Sequence, residues 1–333
     1  MKSLFLKLST ALLSVTFFFT AGCVKVPESA TNLEGSLDTD NTSVPYDKLA
    51  LNMFPRNQTA GDTFSQMMDI RSLGISRVRV NFWFDTFYMP FSSSIPDFTK
   101  FDTVVDSAGS AGVEIVGILS YVPGWLVGDP NWRNVYINNF VIPVVARYAG
   151  RVHYWEIWNE PDEITFSVLD GSADDYFSLL QMTSDAIRQV DPSARIVSAA
   201  SANIVADGIA KFEWTNQLID MGLARYVDIL NIHTYGGQYE ELIILGVPMV
   251  KKAGLPLWIT EFGKRGHGTQ LAYFEDTIKK LDLILNPDRI YWYTYIEGAG
   301  ESETRSADST YGLVTMDGGV RQESELYTHL KNR

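Results

Sequence analysis

Eight short runs rich in β-branched and aromatic residues alternate with longer amphipathic stretches, and this alternation limits the fold more than anything else in the chain. The runs are KLALNMF from Lys48, SRVRVNF from Ser76, VEIVGILSY from Val113, VHYWEIW from Val152, RIVSAAS from Arg195, VDILNIHTY from Val227, LWITEFG from Leu257 and RIYWYTY from Arg289. Their composition suits buried strands, and stretches of about 12–20 residues between them suit crossover helices. The clearest helical stretches are Asp62 to Leu73, Ala173 to Val190 and Leu271 to Leu285. Gly74, Gly112 and Gly254 fall near helix ends, where a left-handed cap favours glycine. Eight strand–helix units in order predict an α/β fold, a closed (β/α)8 TIM barrel forming a single domain over residues 45–333. An open doubly wound sheet would need a topological switch point and usually a glycine-rich first turn. The turn at Phe54-Pro55-Arg56-Asn57 has no glycine.

The N-terminus reads differently. Lys2 and Lys7 precede an apolar stretch from Ala11 to Phe19, which runs into Thr20-Ala21-Gly22-Cys23 and the chain's only cysteine. These are the charged, apolar and cleavage regions of a secretory signal over residues 1–22. The Ala-Gly-Cys ending resembles a bacterial lipobox, which implies lipidation of Cys23; Thr20 departs from the leucine usual three residues before the cysteine. Residues 23–44 are polar and acidic and suit a flexible tether. The expectation is an extracytoplasmic protein held at a bacterial outer membrane or cell surface by its lipid anchor alone, with periplasmic or secreted forms as alternatives. The signal segment carries two lysines and no acid, so its removal takes the net charge from −13 to −15. Such an acidic surface, with no lysine or arginine stripe, argues against a nucleic-acid partner. A monomer is expected. With a single cysteine, no internal disulfide can form, and the fold must rest on its core.

In a barrel of this kind the chemistry lies at the C-terminal strand tips. The fourth run ends at Asn159-Glu160-Pro161, where proline removes a ladder donor and stops the strand beside an amide and a carboxylic acid. The other tips offer Arg79 and Asn81, Tyr121, His233 and Tyr235, Glu261, and Trp292 with Tyr295. Two carboxylates, Glu160 on strand 4 and Glu261 on strand 7, therefore face one another across a mouth lined with aromatics. Cleavage of a glycosidic bond needs such a pair: one acid to protonate the leaving oxygen, one carboxylate to attack or stabilise the sugar cation.

WEIWNEP around Glu160, followed about a hundred residues later by LWITEFG around Glu261, resembles clan A of the retaining glycoside hydrolases. With SYVPGW from Ser120 to Trp125, the wording is most similar to glycoside hydrolase family 39 and its relatives. The likeness spans essentially the whole chain after the tether, although the extra β-sandwich common in that family has no residues here. The resemblance implies Glu160 as general acid/base and Glu261 as nucleophile, kept ionised by Arg79 and Tyr235. It implies Asn159 on the sugar 2-hydroxyl, His233 orienting the site around Glu261, and Trp292 as the floor on which the sugar stacks. Tyr121 and Trp125 would add aromatic contacts to the substrate. The implied reaction is double displacement on a β-linked oligo- or polysaccharide, without metal or cofactor.

Plainer roles stand beside these. Arg79 could pair with a buried acid such as Asp85, His233 could be a satisfied core histidine, and Trp292 could be packing. Trp83, Trp125 and Trp132 could pack under loops as readily as stack sugars. Glu156 reads as a hydrogen-bonded structural acid, and Asp162 and Glu163 as solvated loop charges. His153, His267 and His329 show no metal-site spacing. A transglycosylase of the same fold and a catalytically silent sugar-binding lipoprotein are the alternative functions.

Overall fold

A computed structural model describes Leu37, Thr39 and residues 42–333 apart from 56, 57, 165–167, 207, 209, 298–305 and 318. The signal segment, Cys23 and most of the tether lie outside the described residues.

The chain runs β1 (Leu49–Met53), α1 (Ala60–Ser72), β2 (Arg77–Trp83), α2 (Thr99–Ala111) and β3 (Glu114–Ser120). A π turn at Ile137–Val141 joins α3 (Trp132–Tyr136) to α4 (Ile142–Tyr148), and β4 (Tyr154–Ile157), α5 (Ala173–Val190) and β5 (Arg195–Val197) follow. Next come α6 (Ala210–Asp220), β6 (Leu230–His233), α7 (Tyr239–Glu241) and, after another π turn, α8 (Val247–Ala253). The last unit comprises β7 (Leu257–Phe262), α9 (His267–Leu285) and β8 (Arg289–Trp292). Every predicted strand is present, shortened by a residue or more at most ends.

The strands pair in parallel in the order β5-β4-β3-β2-β1-β8-β7-β6. A parallel bridge between Val197 and Ile229 joins the two outer strands and closes the sheet on itself. Only a barrel has that topology. Ser172 caps α5 by accepting from the Asp175 N–H, and Gly112 ends α2 in the left-handed conformation. After β8 the chain adds an antiparallel hairpin, β9 (Val314–Asp317) and β10 (Val320–Glu323), and a helix, α10 (Glu325–Asn332), that packs on α9. Nothing in the eight-unit alternation predicts that hairpin.

Strand alternation sorts the side chains into two cores. Outward-facing residues and the helices bury one large apolar annulus. Inside, Ala50, Val116, Val197, Ile229, Trp258 and Tyr291 form an apolar plug, packed below by Tyr154. Gly117 on β3 lies under Trp155: a Cβ there would come within 2.5 Å of the indole. The layer above the plug, toward the C-terminal tips, is polar and contains Asn52, Arg79, Glu156, Asn231 and Thr260, all buried.

Candidate active site

Two local departures from regular strand geometry build the site. At the end of β4, Trp158 and Glu160 take left-handed backbone conformations, with φ of 73° and 46°. Each costs of order 1–3 kcal/mol for a residue with a Cβ. The Trp158 ring, fully buried against Tyr136, Trp132 and Tyr121, anchors the turn that lifts Asn159 and Glu160 over the mouth. On β7, simple alternation would send Thr260 and Glu261 to opposite faces. The pairing register slips there on both sides, against β6 and against β8. An irregularity of this kind re-aims side chains, and both residues reach inward.

Arg79 is the hub. Its guanidinium is 1% exposed, and all five of its N–H hydrogens are used. Nε and Nη2 clamp Glu156 at 2.7 and 2.8 Å, and Nη1 donates to Glu261 Oε1 at 2.6 Å and to Asn52 Oδ1 at 2.9 Å. Nη2 also donates to Asn159 Oδ1 at 2.6 Å, which fixes the orientation of that amide. The second oxygen of Glu261 accepts the Tyr235 hydroxyl at 2.6 Å. Glu160 meets His233: its Oε1 lies 3.0 Å from Nδ1, while Nε2 lies 3.0 Å from Thr260 Oγ1.

The two catalytic candidates sit in opposite electrostatic environments. Burial, reinforced by the charge of Glu261, raises the Glu160 carboxyl above the ordinary range, and the bond to His233 offsets this only in part. Burial also pushes Glu261 upward, but the charges of His233 and Arg79 and the bonds from Tyr235 and Arg79 outweigh it and lower that group. Burial disfavours the charged imidazole of His233, yet Glu261 and Glu160 together raise it. Carboxyls driven apart in this way divide into one acid and one nucleophile.

Their spacing fits retention better than inversion. An oxygen of Glu160 and an oxygen of Glu261 lie within 4.8 Å of each other. Retaining enzymes hold the pair roughly 5–5.5 Å apart and inverting ones roughly 6.5–9.5 Å, to admit a water. Glu160, His233 and Glu261 are also the one trio among the described residues with donor atoms close enough to share an ion. The Arg79 guanidinium already supplies the positive charge that an ion would bring to Glu261.

The structure brings together Glu160, Glu261, Asn159, Arg79, His233 and Tyr235. Tyr121 joins them, packed on Trp83 and Trp158 and within electrostatic reach of both glutamates. One expectation needs correction. Trp292 is 1% exposed and points outward, packed on Phe262, Phe274 and Tyr273, with its indole donating to the Tyr311 carbonyl. It cannot be a sugar platform; alternation on β8 turns Tyr291 and Tyr293 inward and Trp292 out. Trp125, partly exposed, packs edge-on against Phe84 and donates to the Met89 carbonyl, which braces the loop after β3. His233 stands between the two glutamates, bonded to Glu160 and 3.7 Å from Glu261 Oε2.

Arg79 pairs with Glu156, not Asp85, and Glu156 is the structural acid expected. Asp162 is not a solvated charge: it is 4% exposed in its side chain, pairs with Lys211 and accepts from the Ala202 N–H. Tyr293, at the tip of β8, was missed. Its ring meets Phe54, Tyr235 and Tyr311, and its hydroxyl lies in the field of Glu261 and Glu160. Strict period-two reading of RIYWYTY would have found it. The same reading would have flagged Asn52 and Asn231, polar residues at inward positions of apolar strands.

A closed (β/α)8 barrel with paired glutamates at the tips of strands 4 and 7 resembles the arrangement of the retaining O-glycosyl hydrolases of clan A. Within that class the chain resembles family 39: residues 130–250 match the model of Glycosyl hydrolases family 39, a span that holds Glu160, His233 and Tyr235 and stops short of Glu261. No curated protein matches the chain. Among solved structures, a monomeric beta-xylosidase from Caulobacter crescentus CB15 superposes with a TM-score of 0.65 at 20% identity, covering 85% of this chain and 67% of its own. A family 39 glycoside hydrolase from the gut symbiont Bacteroides cellulosilyticus WH2 gives 0.61 at 17%, covering 85% and 62%. The GH39 enzyme from Xanthomonas axonopodis pv. citri gives 0.63 at 20%, covering 85% and 65%. The chain thus spans roughly two thirds of the length of these relatives.

Proposed function

We propose that this chain cleaves β-glycosidic bonds in an oligo- or polysaccharide by double displacement, with Glu160 as acid/base and Glu261 as nucleophile. The observation that carries the assignment is the opposite electrostatic treatment of two carboxyls less than 5 Å apart. Glu160 protonates the glycosidic oxygen as Glu261 attacks the anomeric carbon, forming a glycosyl-enzyme and releasing the leaving group. Glu160, now a carboxylate, takes a proton from water, which attacks the same carbon and frees Glu261. Asn159, its oxygen held by Arg79, presents its N–H group to the sugar 2-hydroxyl. Tyr121, Tyr235 and Tyr293 wall the sugar site. Xylo-configured substrates are the first to test, because beta-xylosidases recur among the similar structures.

The mechanism is tested by a 2-fluoro glycoside of an active substrate. Mass spectrometry should find the label on Glu261, and label on any other residue would remove the nucleophile assignment. Azide should restore turnover of an activated aryl glycoside to Glu160→Ala. We further propose that the enzyme is a monomer tethered outside the cytoplasm through lipidated Cys23, on the strength of the lipobox-like Thr20-Ala21-Gly22-Cys23 and the acidic linker. Metabolic labelling with a fatty-acid analogue should mark the native chain and leave Cys23→Ala unmarked.

A further inference from the structure

A chain of buried hydrogen bonds behind the acid/base determines which nitrogen of His233 carries hydrogen. It begins at Glu156, whose carboxylate is clamped by Arg79 and can only accept. Asn231 Nδ2 donates to Glu156 Oε1 at 3.1 Å, so Asn231 Oδ1 faces the other way. That carbonyl oxygen accepts from the Thr260 N–H at 3.2 Å and from the Thr260 hydroxyl at 2.9 Å. With its hydrogen given to Asn231, Thr260 Oγ1 can only accept from His233 Nε2, 3.0 Å away. Nε2 must therefore bear the hydrogen, since otherwise two lone pairs would face one another in a site sealed from water. A neutral His233 then presents a bare Nδ1 to Glu160 Oε1 at 3.0 Å.

Resting on the reading of Glu160 as acid/base, we propose that Asn231 and Thr260 are positioning residues that keep a hydrogen on Nε2 of His233, so that Nδ1 faces Glu160 and the two groups hold a single proton between them before bond cleavage. One proton is shared by the Glu160–His233 pair, and the proton delivered to the leaving oxygen comes from it. The opposite tautomer would donate to Glu160 and favour its carboxylate, the wrong state for the first step. Other groups bearing on the pair are Arg79 from β2, Tyr121 beyond β3, Glu156 on β4, Tyr235 beyond β6, Glu261 on β7 and Tyr293 beyond β8. Valine at position 260 removes the hydroxyl while keeping a β-branched side chain and the backbone N–H bond to Asn231, which makes the hydroxyl testable by itself.

The test compares wild type, Thr260→Val and Thr260→Ser. For a substrate with a poor leaving group, Thr260→Val should lose about 10–100-fold in kcat/KM, the range expected when general-acid assistance is weakened. The basic limb of its pH profile should move to lower pH. A dinitrophenyl glycoside, which needs no acid, should be cleaved at close to the wild-type rate, and Thr260→Ser should restore all of these behaviours. Nitrogen-15 NMR of histidine-labelled wild type should show His233 with Nε2 protonated and Nδ1 sharing a proton with Glu160. A neutral His233 protonated on Nδ1 would overturn the inference without any variant, as would Val and Ser variants that behave alike. If Glu160→Ala spares poor-leaving-group substrates, the acid/base reading itself falls; if only the Thr260 series fails, that reading stands and this inference does not.

Discussion

Replacing Arg79 with lysine keeps the charge and removes the fork, and its consequences can be worked from the structure. The guanidinium makes five charge-assisted bonds in a geometry that a planar group alone can satisfy, three to carboxylates (two to Glu156, one to Glu261) and two to the amide oxygens of Asn159 and Asn52. An ammonium has three hydrogens, so at least two bonds are lost. At about 1.5–3 kcal/mol for each bond to a charged group, the loss is roughly 3–6 kcal/mol if both fall on carboxylates. That range matches the roughly 3–5 kcal/mol seen when a buried pair loses a partner. A barrel of this size should melt about 6 °C lower or more, at roughly 2–4 °C per kcal/mol.

Activity should fall at least 100-fold, and the acid limb of kcat/KM should move to higher pH. The sign follows from Glu261. Its carboxyl is lowered in the native protein by His233, Arg79 and Tyr235 against the opposing effect of burial. A depressed carboxyl stabilises the fold above its unfolded titration range and loses that contribution as pH falls through its native one. Loosening Arg79 shrinks the difference, so both the acid limb and the onset of acid unfolding should shift upward. Circular dichroism melts at several pH values and a pH–rate profile measure the two effects. A folded Arg79→Lys enzyme with an unmoved acid limb and an unchanged melting temperature would refute the reasoning.

Two further outcomes separate packing from substrate contact. Trp292→Ala should cost about 3–5 kcal/mol in a thermal or denaturant melt, as removal of a buried aromatic does, with KM close to wild type in whatever remains folded. Tyr293→Ala should weaken substrate binding several-fold in KM, since its partly exposed ring lies beside Tyr235 in the field of both glutamates. Gly117→Ala should destabilise the barrel by about 1–3 kcal/mol, because the new methyl overlaps Trp155 and crowds Phe82; a melt within half a kcal/mol of wild type would contradict the close packing described.

The architecture was legible in the sequence because strand and helix periods differ, and burial enforces each one. Eight β-branched runs with amphipathic connections leave a barrel as the solution, and the strand count alone puts Glu160 and Glu261 on the fourth and seventh tips. Motif wording then carried Asn159, Arg79 and Tyr235 to one place. Local chain direction was not legible. Nothing in WITEF states that β7 slips register so that Thr260 and Glu261 both turn inward, and nothing in WNEP states that Trp158 and Glu160 adopt left-handed backbone. Those choices depend on neighbours distant in sequence, as does the outward packing of Trp292 on α9. The linear chain determined the barrel and its two carboxylates, because composition and period are properties of short segments. Tertiary structure supplied the environment that raises one carboxyl and lowers the other, because that depends on Arg79, His233 and Tyr235 converging from other strands on groups withdrawn from water.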